Sequence, residues 1–126
     1  MTIQNLGSKG TAVDILANDV VASTANGSGV DLQGYEGDAA FILSAEAGSS
    51  GVTYAVHLED SADNSTFTDV TDGAFTTTSA NTASFQQIAL NISDLKRYVR
   101  AVTTVAGGTG TGALTVLAYA SKKYTT

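Results

Sequence analysis

The chain has no cysteine, no proline and no tryptophan, one histidine, one methionine, and only 14% charged residues over its 126 positions. Each absence excludes something. Without cysteine there is no disulfide framework, no thiol nucleophile and no thiolate metal site. The lone histidine, His57, leaves an imidazole-based metal site to find its other ligands among carboxylates, and none stands at ligand spacing around it. His57 therefore reads as a surface or interface residue. Six Lys and Arg against twelve Asp and Glu give a net charge of −6, so no basic field exists to neutralise a phosphate backbone, and nucleic acid is not an expected partner. The longest uninterrupted apolar run, residues 39–43, falls far short of the roughly 20 residues that a membrane span needs. With no charged-then-apolar pattern at the N-terminus, the expectation is a soluble, untargeted protein with no membrane partner.

What replaces the missing charge is Thr, Ser, Ala, Asn and Gly. Small uncharged side chains suit closely packed β surfaces that meet other protein, although a Thr-rich sheet is also simply a good strand former. A chain of this length fits one domain able to bury roughly two-thirds of its unfolded surface, without staples.

Strand patterns recur between clusters of Gly, Asn, Asp and Ser, as in a sandwich or barrel. Within residues 37–48, Phe41, Leu43 and Ala45 share one face while Ile42, Ser44 and Glu46 share the other. Residues 52–59 alternate cleanly, with Val52, Tyr54, Val56 and Leu58 on the apolar side. Residues 60–65 supply turn formers, and residues 66–70 return as a short strand, making a hairpin. Residues 76–82 read as a loop or irregular edge. In residues 84–92 the apolar members Ile88, Leu90 and Ile92 face a core, and residues 97–105 and 113–120 flank a glycine-rich hairpin tip at 107–112. That tip lacks the Gly-Lys-Ser/Thr of a phosphate loop. The predicted class is all-β, with about eight antiparallel strands and Phe41, Leu43, Tyr54, Val56, Leu58, Ile88, Leu90, Val99, Val116 and Leu117 in the core.

The first 28 residues carry a mixed signal. Val13, Leu16, Ala17, Val20 and Val21 fall at helical spacing, yet Val13, Ile15 and Ala17 alternate as in a strand. The segment reads as an N-terminal arm or first strand (residues 1–28), leading into a strand at 30–33 and a sandwich domain over residues 29–126. As an arm it would leave Ile3, Leu6, Val13, Ile15 and Leu16 in water, so these five are the expected interface residues, docking on a neighbouring copy or another protein.

Chemistry is otherwise sparse. No Gly-x-Ser-x-Gly elbow accompanies the many serines, so no nucleophile is singled out and no catalytic residue is assigned. Asp60, Asp63, Asn64, Asp69 and Asp72 could be read as a calcium cluster, but their spacing fails the EF-hand pattern and strand-ending turns explain them. The expectation is a protein without enzymatic activity, cofactor or resident metal. Lys96, Arg97, Arg100, Lys122 and Lys123 gather five of the six basic residues in the last third, as a less negative patch or a solvated strand end.

Three motifs carry a resemblance: Gly-Val-Asp-Leu-Gln-Gly-Tyr-Glu-Gly at residues 29–37, His-Leu-Glu-Asp-Ser-Ala-Asp-Asn-Ser-Thr-Phe-Thr-Asp-Val at 57–70, and Lys-Arg-Tyr-Val-Arg-Ala-Val at 96–102. In this order they resemble small structural proteins of tailed bacteriophages, which include capsid decoration, or cement, proteins. The resemblance implies a jelly-roll-like sandwich, the major capsid protein as partner, self-association as a trimer, and a place on the outer surface of the phage head after synthesis in the host bacterial cytoplasm. A tail or tail-tip module of the same fold and a carbohydrate-binding β-sandwich are the alternatives.

Overall fold

The computed structural model describes residues 10–20, 23–47, 51–79 and 81–122. The described residues form nine strands: β1 (Gly10–Val20), β2 (Ala25–Asn26), β3 (Val30–Asp31), β4 (Tyr35–Ala45), β5 (Thr53–Ser61), β6 (Thr68–Ala74), β7 (Ser84–Asn91), β8 (Tyr98–Ala106) and β9 (Ala113–Lys122). A single 3-10 turn, Ile92–Asp94, follows β7. Sheet I has the order β1-β9-β4-β7, and sheet II runs β2-β8-β5-β6 with β3 also on β8. All ladders are antiparallel. Because β2 and β3 both pair with β8, they are one strand position interrupted at Gly27 to Gly29, and the count becomes the eight expected. The Gly27 N–H donates to the Ala101 carbonyl at 2.8 Å, and a Cβ at Gly27 would stand 2.8 Å from that same oxygen, so only glycine lets the chain pass so close. Sequential renumbering then gives 1-8-3-6 facing 2-7-4-5, two four-stranded sheets wound as a jelly roll.

The alternation in the sequence sets which residues lie between the sheets. Phe41, Leu43, Leu58, Val99, Leu114, Val116 and Ala118 are all 0% exposed. Of the expected core, Ile88 and Leu90 are partly buried and pack against it, because β7 is an edge strand. Leu117 is a correction. Adjacent strand residues point to opposite faces, so Val116 inside requires Leu117 outside, and Leu114 takes the core position instead.

The first-strand reading is the one that describes residues 10–20. Pairing of β1 with β9 shifts register between Asp14 and Leu16 and again between Leu16 and Asp19. These are β-bulges, and the first gives Ile15 and Leu16 a common inward direction that neither a plain strand nor a helix would. This explains the mixed period. Ile15 is 4% exposed in the core, and Val13 and Leu16 are partly buried against it, so these three pack on the chain's own sandwich, where a free arm would have left them in water. Ile3 and Leu6 lie outside the described residues.

Tyr54 closes one end of the sandwich. It is 1% exposed, and its phenol oxygen accepts from the Thr111 N–H at 3.1 Å and the Gly112 N–H at 2.9 Å. Thr78 straps the same residue from the other side, its Oγ1 accepting from the Tyr54 N–H and its N–H donating to the Tyr54 carbonyl, both at 2.9 Å. The irregular edge at 76–82 is thus tied to β5 without regular pairing. Tyr54→Phe removes an acceptor from two N–H groups in the tip before β9. It is expected to cost about 1–3 kcal/mol in a denaturant titration, with unchanged circular dichroism.

Candidate functional site

The outer face of sheet II carries the charge. His57 and Glu59 project from β5 two residues apart, and the ladders set Arg100 of β8 and Asp69 of β6 opposite Glu59. Arg100 donates from Nε at 2.9 Å and from Nη2 at 2.6 Å to Glu59 Oε1, and its guanidinium lies 4.0 Å from the centroid of the Phe67 ring. His57 Nε2 stands 3.3 Å from Glu59 Oε2 and 3.3 Å from Asp69 Oδ1. Burial by itself pushes the Glu59 carboxyl up, but the hydrogen bonds from Arg100 and His57 more than offset it and hold the group below the usual range. His57, Glu59 and Asp69 each offer one ligand atom within 4.8 Å of the others, and they are the residues that could hold a metal ion among those described. Arg100 already neutralises one of the two carboxylates.

Sequence spacing around His57 concealed this cluster, though a signal was present. Period two puts residues 57 and 59 on one face, and a hairpin centred on Asn64, whose φ is 59°, brings Asp69 opposite Glu59. A cleft of about 610 Å³ beside the cluster is lined in part by His57, Asp69, Val70 and Phe75.

Asp60 and Asp63 of the calcium reading have separate local partners. Asp60 is 7% exposed at the end of β5, accepting from the Lys96 N–H at 3.0 Å and from the Thr68 hydroxyl at 3.4 Å. Asp63 organises the hairpin tip. Its carboxylate accepts from the Thr66 N–H at 2.9 Å, the Ser61 hydroxyl at 2.8 Å and the Ser65 N–H at 2.9 Å, and these bonds depress its pKa from 3.8 to about 2. A depressed carboxyl contributes stability above its ordinary pKa and loses it as pH falls through the folded value. Protection of the Ser65 and Thr66 amides, relative to their intrinsic exchange rates at each pH, is therefore expected to fall from pH 4 to pH 2 by more in the native chain than in Asp63→Ala, where the hairpin is loosened throughout.

The two arginines of the basic cluster are neutralised by carboxylates. Arg97 binds Asp31 in a bidentate pair, from Nε at 3.1 Å and Nη2 at 2.8 Å, with its guanidinium 5.1 Å from the Tyr98 ring centroid. The hydrogen bond from Arg97, followed by that from the Gln33 N–H, lowers the Asp31 carboxyl. Guanidinium groups thus stand over the rings of Tyr98 and Phe67, where a sugar would stack. Lys123 lies outside the described residues.

Sheet I presents a different outer face. Its ladders align three rows: Asp14, Leu117, Ile42 and Gln87; Ala12, Tyr119, Ala40 and Ala89; and Thr115, Ser44 and Phe85. Asp14 is the sole charged residue in these rows, and Phe85, at 73%, is the exposed large apolar side chain of the described residues. The outer face of sheet II is laced with ion pairs, whereas these central rows of sheet I hold one charge, with Asp38 opposite Asn91 and Glu36 opposite Ser121 placing two further acids at the end of the face.

No family model and no curated protein matches the sequence. Solved structures match its fold. A chain of the T13 IBDV viral particle superposes with a TM-score of 0.54 at 9% identity, over 90% of this chain and 31% of that one. A mutant VP2 protein of infectious bursal disease virus, in derived T=1 particles, superposes with a TM-score of 0.48 at 11% identity, over 90% of this chain and 32% of that one. This chain spans about a third of the length of those proteins, and what it has in common with the first is the fold: an all-β jelly-roll sandwich.

Proposed function

We propose that this chain is a capsid decoration (cement) protein of a tailed bacteriophage, held by protein–protein contact to the major capsid protein on the outer surface of the head, where it stabilises the shell. The observation that carries the reading is the jelly-roll sandwich, the fold found in a chain of an icosahedral viral particle, joined to an outer sheet face whose three central rows hold one charge. Such a face suits burial against other protein, since the core of an interface is depleted in charge. The three sequence motifs supply the phage assignment. On this reading the protein performs no reaction, and its copies associate with one another on the particle.

The test mixes purified protein with phage heads and, separately, with tails, and counts bound copies per particle. Saturable binding of hundreds of copies to heads, with greater resistance of the particles to heat, is the expected result. Binding to tails alone would establish the tail-module alternative, and selective retention on a glycan array without particle binding would establish the carbohydrate-binding one. The ring-stacked Arg97 and Arg100 speak against the latter.

A further inference from the structure

A jelly roll has four strand edges, and an exposed edge is a template for another strand unless something blocks it. Three of the four are blocked here. The edge strand β1 is broken by two register shifts and carries Asp14 on its outer face. In sheet II, β6 carries Asp69 and Asp72, the latter at φ 60°, and shifts register against β5. The opposite edge of that sheet is split into β2 and β3, two residues each. The fourth edge is β7, Ser-Phe-Gln-Gln-Ile-Ala-Leu-Asn. Its eight residues include no charge, no glycine and no proline, and its ladder with β4 runs from Asp38–Asn91 to Ala45–Ser84 without a shift.

From this contrast we infer that β7 is a homotypic docking edge, where a second copy of the chain adds its own β7 antiparallel and joins the two copies of sheet I across a two-fold axis. An antiparallel strand paired with itself is self-complementary, the isologous arrangement of a closed dimer. Charge selects the occupant. Each copy carries −6, so two copies repel wherever their acidic residues meet, and of the three edge strands longer than two residues among the described residues β7 alone has no acid within the strand. Pairing centred on Gln87 would set Phe85 beside Ala89 of the second copy, covering an aromatic ring that is otherwise 73% exposed. The uncharged rows of sheet I would then run on across the axis. This contact is two-fold and differs from the trimer implied by the phage resemblance. It stands on the strand edges and does not depend on capsid binding.

The experiment is sedimentation of the full chain at about 0.1 mM, a concentration that populates any dimer with a Kd at or below that value. Native protein is compared with Gln87→Lys, which puts like charges across the axis, and with Ala12→Lys, which puts the same charge on the same face at the opposite edge. Circular dichroism checks that each variant is folded. The expected result is a dimer for the native chain and for Ala12→Lys, and a folded monomer for Gln87→Lys. Because the chain has no cysteine, Gln87→Cys adds an independent readout, a disulfide-linked dimer formed on mild oxidation. A monomeric native chain would overturn the inference, as would a dimer that survives Gln87→Lys or dissociates with Ala12→Lys.

Discussion

Leu58→Asp is expected to leave the chain unfolded, with loss of the β-sheet circular dichroism signal and of any thermal transition. Leu58 is 0% exposed in the middle of β5, between its neighbours β8 and β6. The substitution forfeits about 1.5–3 kcal/mol of apolar burial. It also places a carboxylate where no cation or donor awaits it, at a further cost of several kcal/mol. A domain of this size is stable by about 5–15 kcal/mol in total, so the two penalties together consume most or all of it. The nearby Asp60 shows what a buried carboxylate requires, since it is satisfied by the Lys96 N–H and the Thr68 hydroxyl. A cooperative transition in Leu58→Asp near that of the native chain would mean that Leu58 does not sit in the core.

Phe41→Ala is expected to destabilise the domain by about 3–5 kcal/mol, read as a lower midpoint in a denaturant titration with an unchanged slope. Phe41 is 0% exposed on β4, an inner strand of sheet I, where the cavity left by its ring has rigid strands on both sides. Phe85→Ala on the edge strand is the matched control. At 73% exposure its ring contributes little to the fold of a single copy, and the expected change is within about 0.5 kcal/mol. Equal losses at the two positions would contradict the placement of β7 at the edge of sheet I.

These two phenylalanines show how far alternation can be read. Period two correctly assigned Phe41 to the apolar side of its strand and Phe85 to the side opposite Ile88 and Leu90, because the pleat of a strand is local. For residues 113–120 the expected core named Val116 and Leu117 together, which alternation cannot place on one face, and the pairing of β9 between β1 and β4 decided that Val116 points inward. In β1 the rule held for Val13 and Ile15 and broke at Leu16. A bulge is set by the partner strand, so the shift at Ile15 left a pattern that fitted helix and strand equally well in a single chain.

The sequence by itself determined the class of this protein: an all-β fold of about eight strands, with the hairpin at residues 60–65 and most of the inner residues of β4, β5 and β8. These follow from alternation and turn chemistry, which act over a few residues. It also determined the low and unbalanced charge, from which a nucleic-acid partner is not expected. Only the tertiary structure decided the strand order of the jelly roll, the return of residues 10–20 to the chain's own core, and the meeting of His57, Glu59, Asp69 and Arg100. It alone showed that the ion pairs collect on sheet II, that the central rows of sheet I hold one charge, and that β7 is an uncharged edge strand among the described residues. Each of these depends on contacts between residues far apart in the chain, and the energy of such a contact is not written in the neighbourhood of either partner.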